Sequence, residues 1–505
     1  METTKLIKIN PNDNVAVAIE SLYKGDVVTV GDDTFTLVTD IPAGHKVALR
    51  DIDKEESIIK YGYPIGGAKE KIRKGEHVHA FNIHTLLSES ASYSYNEKLA
   101  HDYMLQFEAD KKRWEGHIPV IQAYERQDGR IGIRNGLWIV PTVGCVNGIS
   151  KKLEEWGNKE LGLEDGVHAW THPYGCSQMG QDHENTRTIL ADLVHHPNAG
   201  GVLVLGLGCE NNTMESFKKL VGEVDDERVK FLVAQECEDE IEDAKALMRE
   251  IASKIKTDKR TAQKMSKLVV GFKCGGSDGL SGITANPLVG RFCNELTAIG
   301  GTAILTEVPE MFGAEQMLMN RAINKDVYNE VVDLINTFKD YFVQHHQVVY
   351  ENPSPGNKAG GISTLEDKSL GCVQKGGIAP VCDVLKYGER VHTNGLNLLL
   401  GPGNDIVSTT AQTAAGANLI LFTTGRGTPL GAPVPTVKIA TNNALAENKP
   451  NWIDFNAAKL LEMDPEKVTG ELFSLITAIA NGEKHTKNEI NGYEEISLFK
   501  DGVIL

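Results

Sequence analysis

"GGVLVLGLGCENN", residues 200–212, is a run of aliphatic and β-branched residues that breaks into a glycine turn and ends in polar side chains. A continuous apolar run of this length, closed by turn residues, describes a strand buried on both faces. "VKFLVAQECED" (229–239) repeats the pattern, followed by "EIEDAKALMREIASKI", whose apolar residues fall at helical spacing. "KLVVGFKCGGSDGLSG" (267–282), "TAILTEVPE" (302–310), "NLLLGPGND" (397–405), "NLILFTTGRG" (418–427) and "VKIATNN" (437–443) continue the series. Strands alternating with helices predict a mostly parallel sheet with helices on its faces.

What those strands end in carries the functional reading. Their C-terminal ends hold Cys209-Glu210-Asn211-Asn212, Gln235-Glu236, Cys274-Gly275-Gly276-Ser277-Asp278, Thr306-Glu307, Asn404-Asp405, Thr423-Thr424-Gly425-Arg426 and Thr441-Asn442-Asn443. In open α/β sheets the ligand crevice lies outside those ends, so the reading expects one polar pocket there.

Residues 1–84 differ. Short apolar runs ("LIKI", "VAVAI", "DVVTV", "TFTLV") are separated by turn signals at close spacing, the pattern of a small β domain. Residues 85–115 are polar, lack glycine and suit a linker with some helix. The remainder divides into two α/β lobes, 116–345 and 346–505.

The chain has 505 residues, 41% of them apolar and 6% aromatic, with a formal charge of −17. That charge disfavours nucleic acid and anionic membranes as partners. No apolar run has the length of a membrane span and the N-terminus lacks a signal-peptide pattern, so a cytoplasmic protein is expected. An acidic ligand would have to be met by local cations, helix N-termini or a metal.

"GLGCEN" lacks the third glycine of a dinucleotide fingerprint, and no phosphate-binding P-loop occurs. "KCGGSDGLSG" offers consecutive N–H groups for a carboxylate or phosphate, through Gly275, Gly276, Ser277 and Asp278, with Lys273 and Arg291 as possible charge partners. In the loop-like stretch 351–372, Lys358 could reach a ligand carboxylate or, if desolvated, act as a base. "GEHVHAFN" puts His77 and His79 on one face of a strand, a spacing that suits a metal, and "AGHKVAL" adds His45 and Lys46. "THPYGCSQMGQDHENTRTIL" (171–190) leaves three options open: His172, Cys176 and His183 as metal ligands, one histidine as an acid/base group, or a hydrogen-bonded network. Cys145, Cys176 and Cys209 each follow an apolar stretch, and three converging thiolates could hold an iron–sulfur cluster.

Taken together, "GHKVAL", "IIKYGYPIG", "HVHAFN", "PTVGCVNGI", "YGCSQMG", "HENTR", "GLGCENN", "CGGSDGLSGITANP", "NPSPGNKAGGISTLEDKSLGC", "TTGRGTPLGAPVPTVKIATN" and "WIDFN" resemble the altronate/galactarate dehydratase family, and its altronate branch more than its galactarate branch. The resemblance implies an N-terminal SAF-type β domain before a large α/β catalytic region. It implies dehydration of D-altronate to 2-dehydro-3-deoxy-D-gluconate in galacturonate catabolism, with iron(II) or manganese(II). The expected assignment makes His45, His77 and His79 the metal ligands, with Cys145, Cys176 and Cys209 as the alternative set for an iron–sulfur cluster. His172 is the first candidate base and Lys358 the second, with His183 as a further acid/base candidate. Lys46, Gly275, Gly276, Ser277, Asp278, Asn404 and Arg426 are expected to receive a small-molecule aldonate. A homo-oligomer is compatible with this. The competing readings are a lyase for galactarate or sulfolactate, and a non-catalytic sugar-acid-binding protein.

Overall fold

The computed structural model describes residues 5–87 and 93–502. The β domain is wholly antiparallel. Its four-stranded sheet runs in the order β1 (Leu6–Ile7), β2 (Val15–Ala18), β3 (Lys46–Ala48) and β4 (His77–Val78), beside smaller sheets built from residues 27–36 and 57–84. The expected linker carries a helix, Glu97–Arg113.

The expected α/β architecture holds, on two sheets. The smaller contains β5 (Gly136–Pro141), β6 (Val167–Ala169), β7 (Ala199–Gly206) and β8 (Val229–Val233), all parallel and ordered β6-β5-β7-β8. The quoted stretch is β7. Its interior is buried throughout because helices cover both faces, including α1 (Gly180–Val194) and Glu240–Ile255.

The larger sheet has seven parallel strands: β9 (Val269–Cys274), β10 (Thr302–Leu305), β11 (Val381–Leu385), β12 (Gly395–Leu399), β13 (Leu419–Thr424), β14 (Thr436–Ala440) and β15 (Phe455–Asn456). Their spatial order is β11-β12-β10-β9-β13-β14-β15. The order reverses around β9, a topological switch point of the kind that opens a crevice at the strand C-termini.

Three sequence expectations change. A lobe boundary at 345/346 would cut this sheet, because β10 pairs directly with β12, Thr302 opposite Gly395 and Leu305 opposite Leu398. The α/β region divides instead between the sheets, before β9. The Pro/Gly-rich stretch 351–372, expected as a loop, folds into α2 (Pro355–Ala359) and α3 (Leu365–Cys372) against the sheet. The single crevice also becomes two edges. Cys209–Asn212 and Gln235-Glu236 end strands of the smaller sheet; the other five polar tips belong to the larger one.

The β domain packs on the larger sheet through one shared core that includes Ile58, Ile65 and Val78 with Phe272, Val308 and Leu365. Gly279 makes the close approach possible: a Cβ there would stand 1.8 Å from the Gly44 carbonyl oxygen. Gly361, with φ +101°, lies against the same carbonyl. Lys46 and Lys60, both buried, reach across to the two oxygens of Asp367 at 2.8 and 2.9 Å.

Candidate active site

Where the β domain meets α2, three histidines gather. Val47 of β3 pairs with His77 of β4, which puts His45, just before β3, beside the imidazoles of His77 and His79. Their ligand atoms all lie within 4.8 Å of one another. Asn82 fixes the turn, accepting from the His79 N–H and donating to the His77 carbonyl, both at 2.9 Å. His45 Nε2 faces the Ala359 carbonyl at 3.3 Å and Nδ1 faces His77 Nε2 at 3.0 Å. A proton on Nε2, donated to Ala359, leaves the Nδ1 lone pair pointing into the cluster. Burial first, then the neighbouring imidazole and Lys46 charges, depress His77 to about 3; burial and Lys46 depress His79 to about 4. Burial also lowers His45. Three neutral imidazoles sharing one small volume form a donor set that a divalent transition metal fits.

Alpha-helix α2 joins this cluster to a cavity of about 390 Å³. Ala359 touches His45, while Ser354, Gly356 and Asn357 line the cavity with Gly275, Gly276, Lys368, Asp405 and Arg426. A capping box between Ser354 and Asn357 holds the helix start, and Asn357 Nδ2 donates to the Ser277 carbonyl at 2.8 Å. The cavity wall thus includes Glu310 and Asp405, matched by Lys368 and Lys273, and leaves Arg426 and the glycine backbone to meet an anionic polyol.

Beneath it lies a dense charged layer. Lys273 pairs with Glu307 and, at 2.9 Å, with Asp405; Lys375 pairs with Glu307 at 2.9 Å and reaches Cys274 Sγ at 2.8 Å; Lys368 pairs with Glu310 at 2.8 Å. Three ammoniums thus balance three carboxylates, which is what allows the layer to be buried. Burial alone would raise the Glu310 carboxyl, but Lys368, Lys273 and Lys375 hold it down to about 2. Cys274, Glu310 and Cys372 are also close enough for a metal. Lys368 and Lys375 already place ammoniums on Glu310 and Cys274, so this set is satisfied without one.

The full chain matches known proteins end to end. Residues 4–86 match the model of the altronate/galactarate dehydratase SAF domain, 123–256 that of the D-galactarate dehydratase/altronate hydrolase second domain, and 265–504 that of the D-galactarate/altronate dehydratase C-terminal domain. Altronate dehydratase of Bacillus subtilis (strain 168) is 51% identical over 504 residues, covering 99% of both chains. Altronate dehydratase of Escherichia coli (strain K12) is 51% identical over 503 residues, again 99% of both. The chain belongs to the altronate/galactarate dehydratase family. Galactarate dehydratase (L-threo-forming) of Escherichia coli (strain K12) is more distant, 32% identical over 520 residues, covering 98% of this chain and 97% of that one.

Within this member of the family, the sequence-predicted residues fall into three groups. His45, His77, His79 and Lys358 come together: Lys358, exposed on α2, is near enough to lower His79 by its charge. Gly275, Gly276 and Arg426 line the cavity. Asn404 caps α4 (Asp405–Ala414), accepting from the Val407 N–H at 3.2 Å, between cavity residues Gly403 and Asp405.

Four others hold the fold. Lys46 is buried and committed to Asp367 and the Gly361 carbonyl, so it does not meet substrate. Asp278 accepts from Thr441, Asn442, Ser281 and the Leu280 N–H, tying its loop to the end of β14. Ser277 is buried under Asn357. His172 lies at the edge of the smaller sheet with Nε2 on the Pro141 carbonyl at 2.8 Å and Nδ1 accepting from the Tyr174 N–H at 3.2 Å. With both nitrogens held by main chain, and burial depressing it to about 4, it is a structural pin rather than a base. His183, on α1, belongs to that same smaller-sheet region and not to the cavity. Arg291 pairs with Glu466 at 2.9 Å, away from the cavity.

Sequence reasoning missed Glu310, Lys368, Cys372 and Lys375. Lys368 and Cys372 at i, i+4 on one short helix were the available signal.

Among the described residues no helix is long and apolar enough to cross a membrane.

Proposed function

We propose that this protein dehydrates D-altronate to 2-dehydro-3-deoxy-D-gluconate, in galacturonate catabolism, with a divalent metal at His45, His77 and His79. The observation that carries the site assignment is α2, which touches the three-histidine cluster with one end and the anion-suited cavity with the other. Between iron(II) and manganese(II), an all-imidazole donor set favours iron. When bound, the cation supplies Lewis acidity toward the carboxylate and C2 hydroxyl of a 2-hydroxy acid.

The chain's own residues do the rest. Arg426 and the Gly275–Gly276 backbone receive the acid and its hydroxyls. Lys358 acts as the free amine: it takes the proton from C2 and returns it to the C3 oxygen, which leaves as water, so the amine is regenerated. The resulting enol becomes the 2-keto acid. Carbon, oxygen and charge balance without a redox partner, consistent with the incomplete dinucleotide fingerprint.

The test is a keto-acid assay on chelated protein, with iron or manganese restored and D-altronate and galactarate as substrates. Metal-dependent keto acid from altronate is expected, and its loss in H45A and H79A. Wild-type metal content and turnover in both variants would remove the metal from this site.

A further inference from the structure

The edge of the smaller sheet has a feature the dehydration does not use. Its neighbouring strands β6, β5 and β7 each lead into a Gly-Cys pair: Gly175-Cys176, Gly144-Cys145 and Gly208-Cys209. Pro141 of β5 pairs with Leu205 of β7, so Cys145 and Cys209 both stand four residues beyond a matched pair. Cysteine is ordinarily among the most buried residue types. Here Cys145, Cys176 and Cys209 are exposed, while the chain's other five cysteines are buried or half-buried.

The three loops are fastened to one another. The Gly144 N–H donates to the Tyr174 carbonyl at 2.8 Å, the Ser177 N–H to Asn211 Oδ1 at 2.9 Å and the Asn212 N–H to the Gly175 carbonyl at 3.3 Å. Thr142 Oγ1 donates to Glu210 at 2.7 Å, and Glu210 also accepts from the Leu207 and Gly208 N–H groups. Gly175 is required at this crossing: with φ +98°, a Cβ would stand 2.0 Å from the Thr142 carbonyl oxygen.

An independent observation points to a ligand. Buried polar atoms without a partner lie in and beside these loops: both side-chain amide atoms of Asn212, three residues past Cys209, and Asn147 Oδ1, two past Cys145. Asn212 is fully buried. Groups in that state call for a partner beyond the chain itself.

The spacing selects the ligand. Among the described residues, two sets of three His, Cys, Asp or Glu side chains have all their ligand atoms within 4.8 Å, and these three thiols are not one of them. A single ion would need the three sulfurs to meet, which they do not; in a cubane cluster each thiolate binds a different iron, so the sulfurs stand apart on loops that are themselves fastened together. We propose that Cys145, Cys176 and Cys209 bind a four-iron, four-sulfide cluster whose fourth iron has no cysteine. Each thiol loses its proton to solvent on ligation, and the cluster keeps its oxidation state. Gln235 Nε2, 3.7 Å from Cys209 Sγ, adds an N–H donor to a ligand sulfur. This assignment does not depend on the histidine metal site.

The experiment is anaerobic reconstitution of the full chain with iron salts, sulfide and a thiol reductant. The readouts are acid-labile sulfide, visible absorption and maleimide tagging of each cysteine. Wild type should hold about four labile sulfides per chain and shield Cys145, Cys176 and Cys209 from the reagent. C145S, C176S and C209S should each lose at least about tenfold of that sulfide, with unchanged circular dichroism; H77A should keep it. Absence of labile sulfide from folded wild type overturns the proposal. So does sulfide retained in all three cysteine variants, or equal tagging of the three thiols before and after reconstitution.

Discussion

Both parallel sheets of this protein end in polar loops, yet the two edges are built differently. At the larger sheet the β domain closes over the strand ends, and the charges beneath it are matched in the dry interior: Lys46 and Lys60 with Asp367, Lys273 and Lys375 with Glu307, Lys368 with Glu310. At the smaller sheet, among the described residues, the buried Glu210 carboxylate is met by the Thr142 hydroxyl and the Leu207 and Gly208 N–H groups rather than by an ammonium, beside asparagines and exposed thiols. A polar strand end therefore marks where a site can form; the covering domain brings the opposite charges that turn a buried carboxylate held by neutral donors into a buried ion pair.

The sharpest way to break this contrast is Asp367→Ala. It leaves two buried ammoniums sharing no carboxylate, a situation that costs about 3–5 kcal/mol. Chemical denaturation should show that loss. A change within experimental error would mean the interface is held by its apolar contacts alone. Next comes His77→Ala, which removes one imidazole and leaves the cavity intact. Turnover of altronate at fixed iron should fall by more than the about 10–100-fold expected for losing a merely supporting partner. Part of the activity should return at higher iron concentration. The counterpart at the other edge is His172→Ala. It strands the Pro141 carbonyl and Tyr174 N–H, for about 1–3 kcal/mol of stability, while kcat/KM on altronate stays within about a factor of three. A collapse of kcat in the folded variant would restore His172 as an acid/base group.

Much of this was legible in the residues. The apolar runs and their polar ends specified a parallel α/β region, and the short runs of residues 1–84 specified a β domain. The i, i+2 spacing of His77 and His79 was sufficient to place them on one face. What sequence spacing could not give was which sheet each strand joins. The pairing of β10 with β12 spans about ninety residues and a glycine-rich segment that reads as a loop, so the lobe boundary was misplaced and one crevice was expected where there are two edges. Nor could it show which ionisable groups are already spent on each other. Lys46 and Asp278 look like ligand-binding residues in one dimension, and their partners, Asp367 and the 441–442 turn, are distant in the chain.

The smallest expected effect belongs to the smaller sheet and sharpens the contrast through pH. His168 of β6 lies 2.7 Å from Glu494 and also faces the Asp165 carbonyl. Burial would lower its pKa, but the Glu494 contact outweighs it and raises the ring to about 9. A group held above its unfolded value of 6.5 contributes stability that is fully present below pH 6.5 and disappears as pH rises through about 9. The His168 side chain is 29% exposed, so solvent screens the pair and about 1 kcal/mol is expected. Wild type should lose that increment between pH 6.5 and 9 in denaturation midpoints, and Glu494→Gln should flatten the slope. The Asp367 ion pairs, with carboxylate and ammoniums both charged near neutrality, should show little dependence between pH 6.5 and 8; above that burial draws the proton from Lys46, and in acid the depressed Asp367 carboxyl takes one up and the pairs are lost. If Glu494→Gln left the pH slope unchanged, the pH response would have to come from the buried charges of the larger sheet, and the two edges would no longer divide the electrostatics as drawn here.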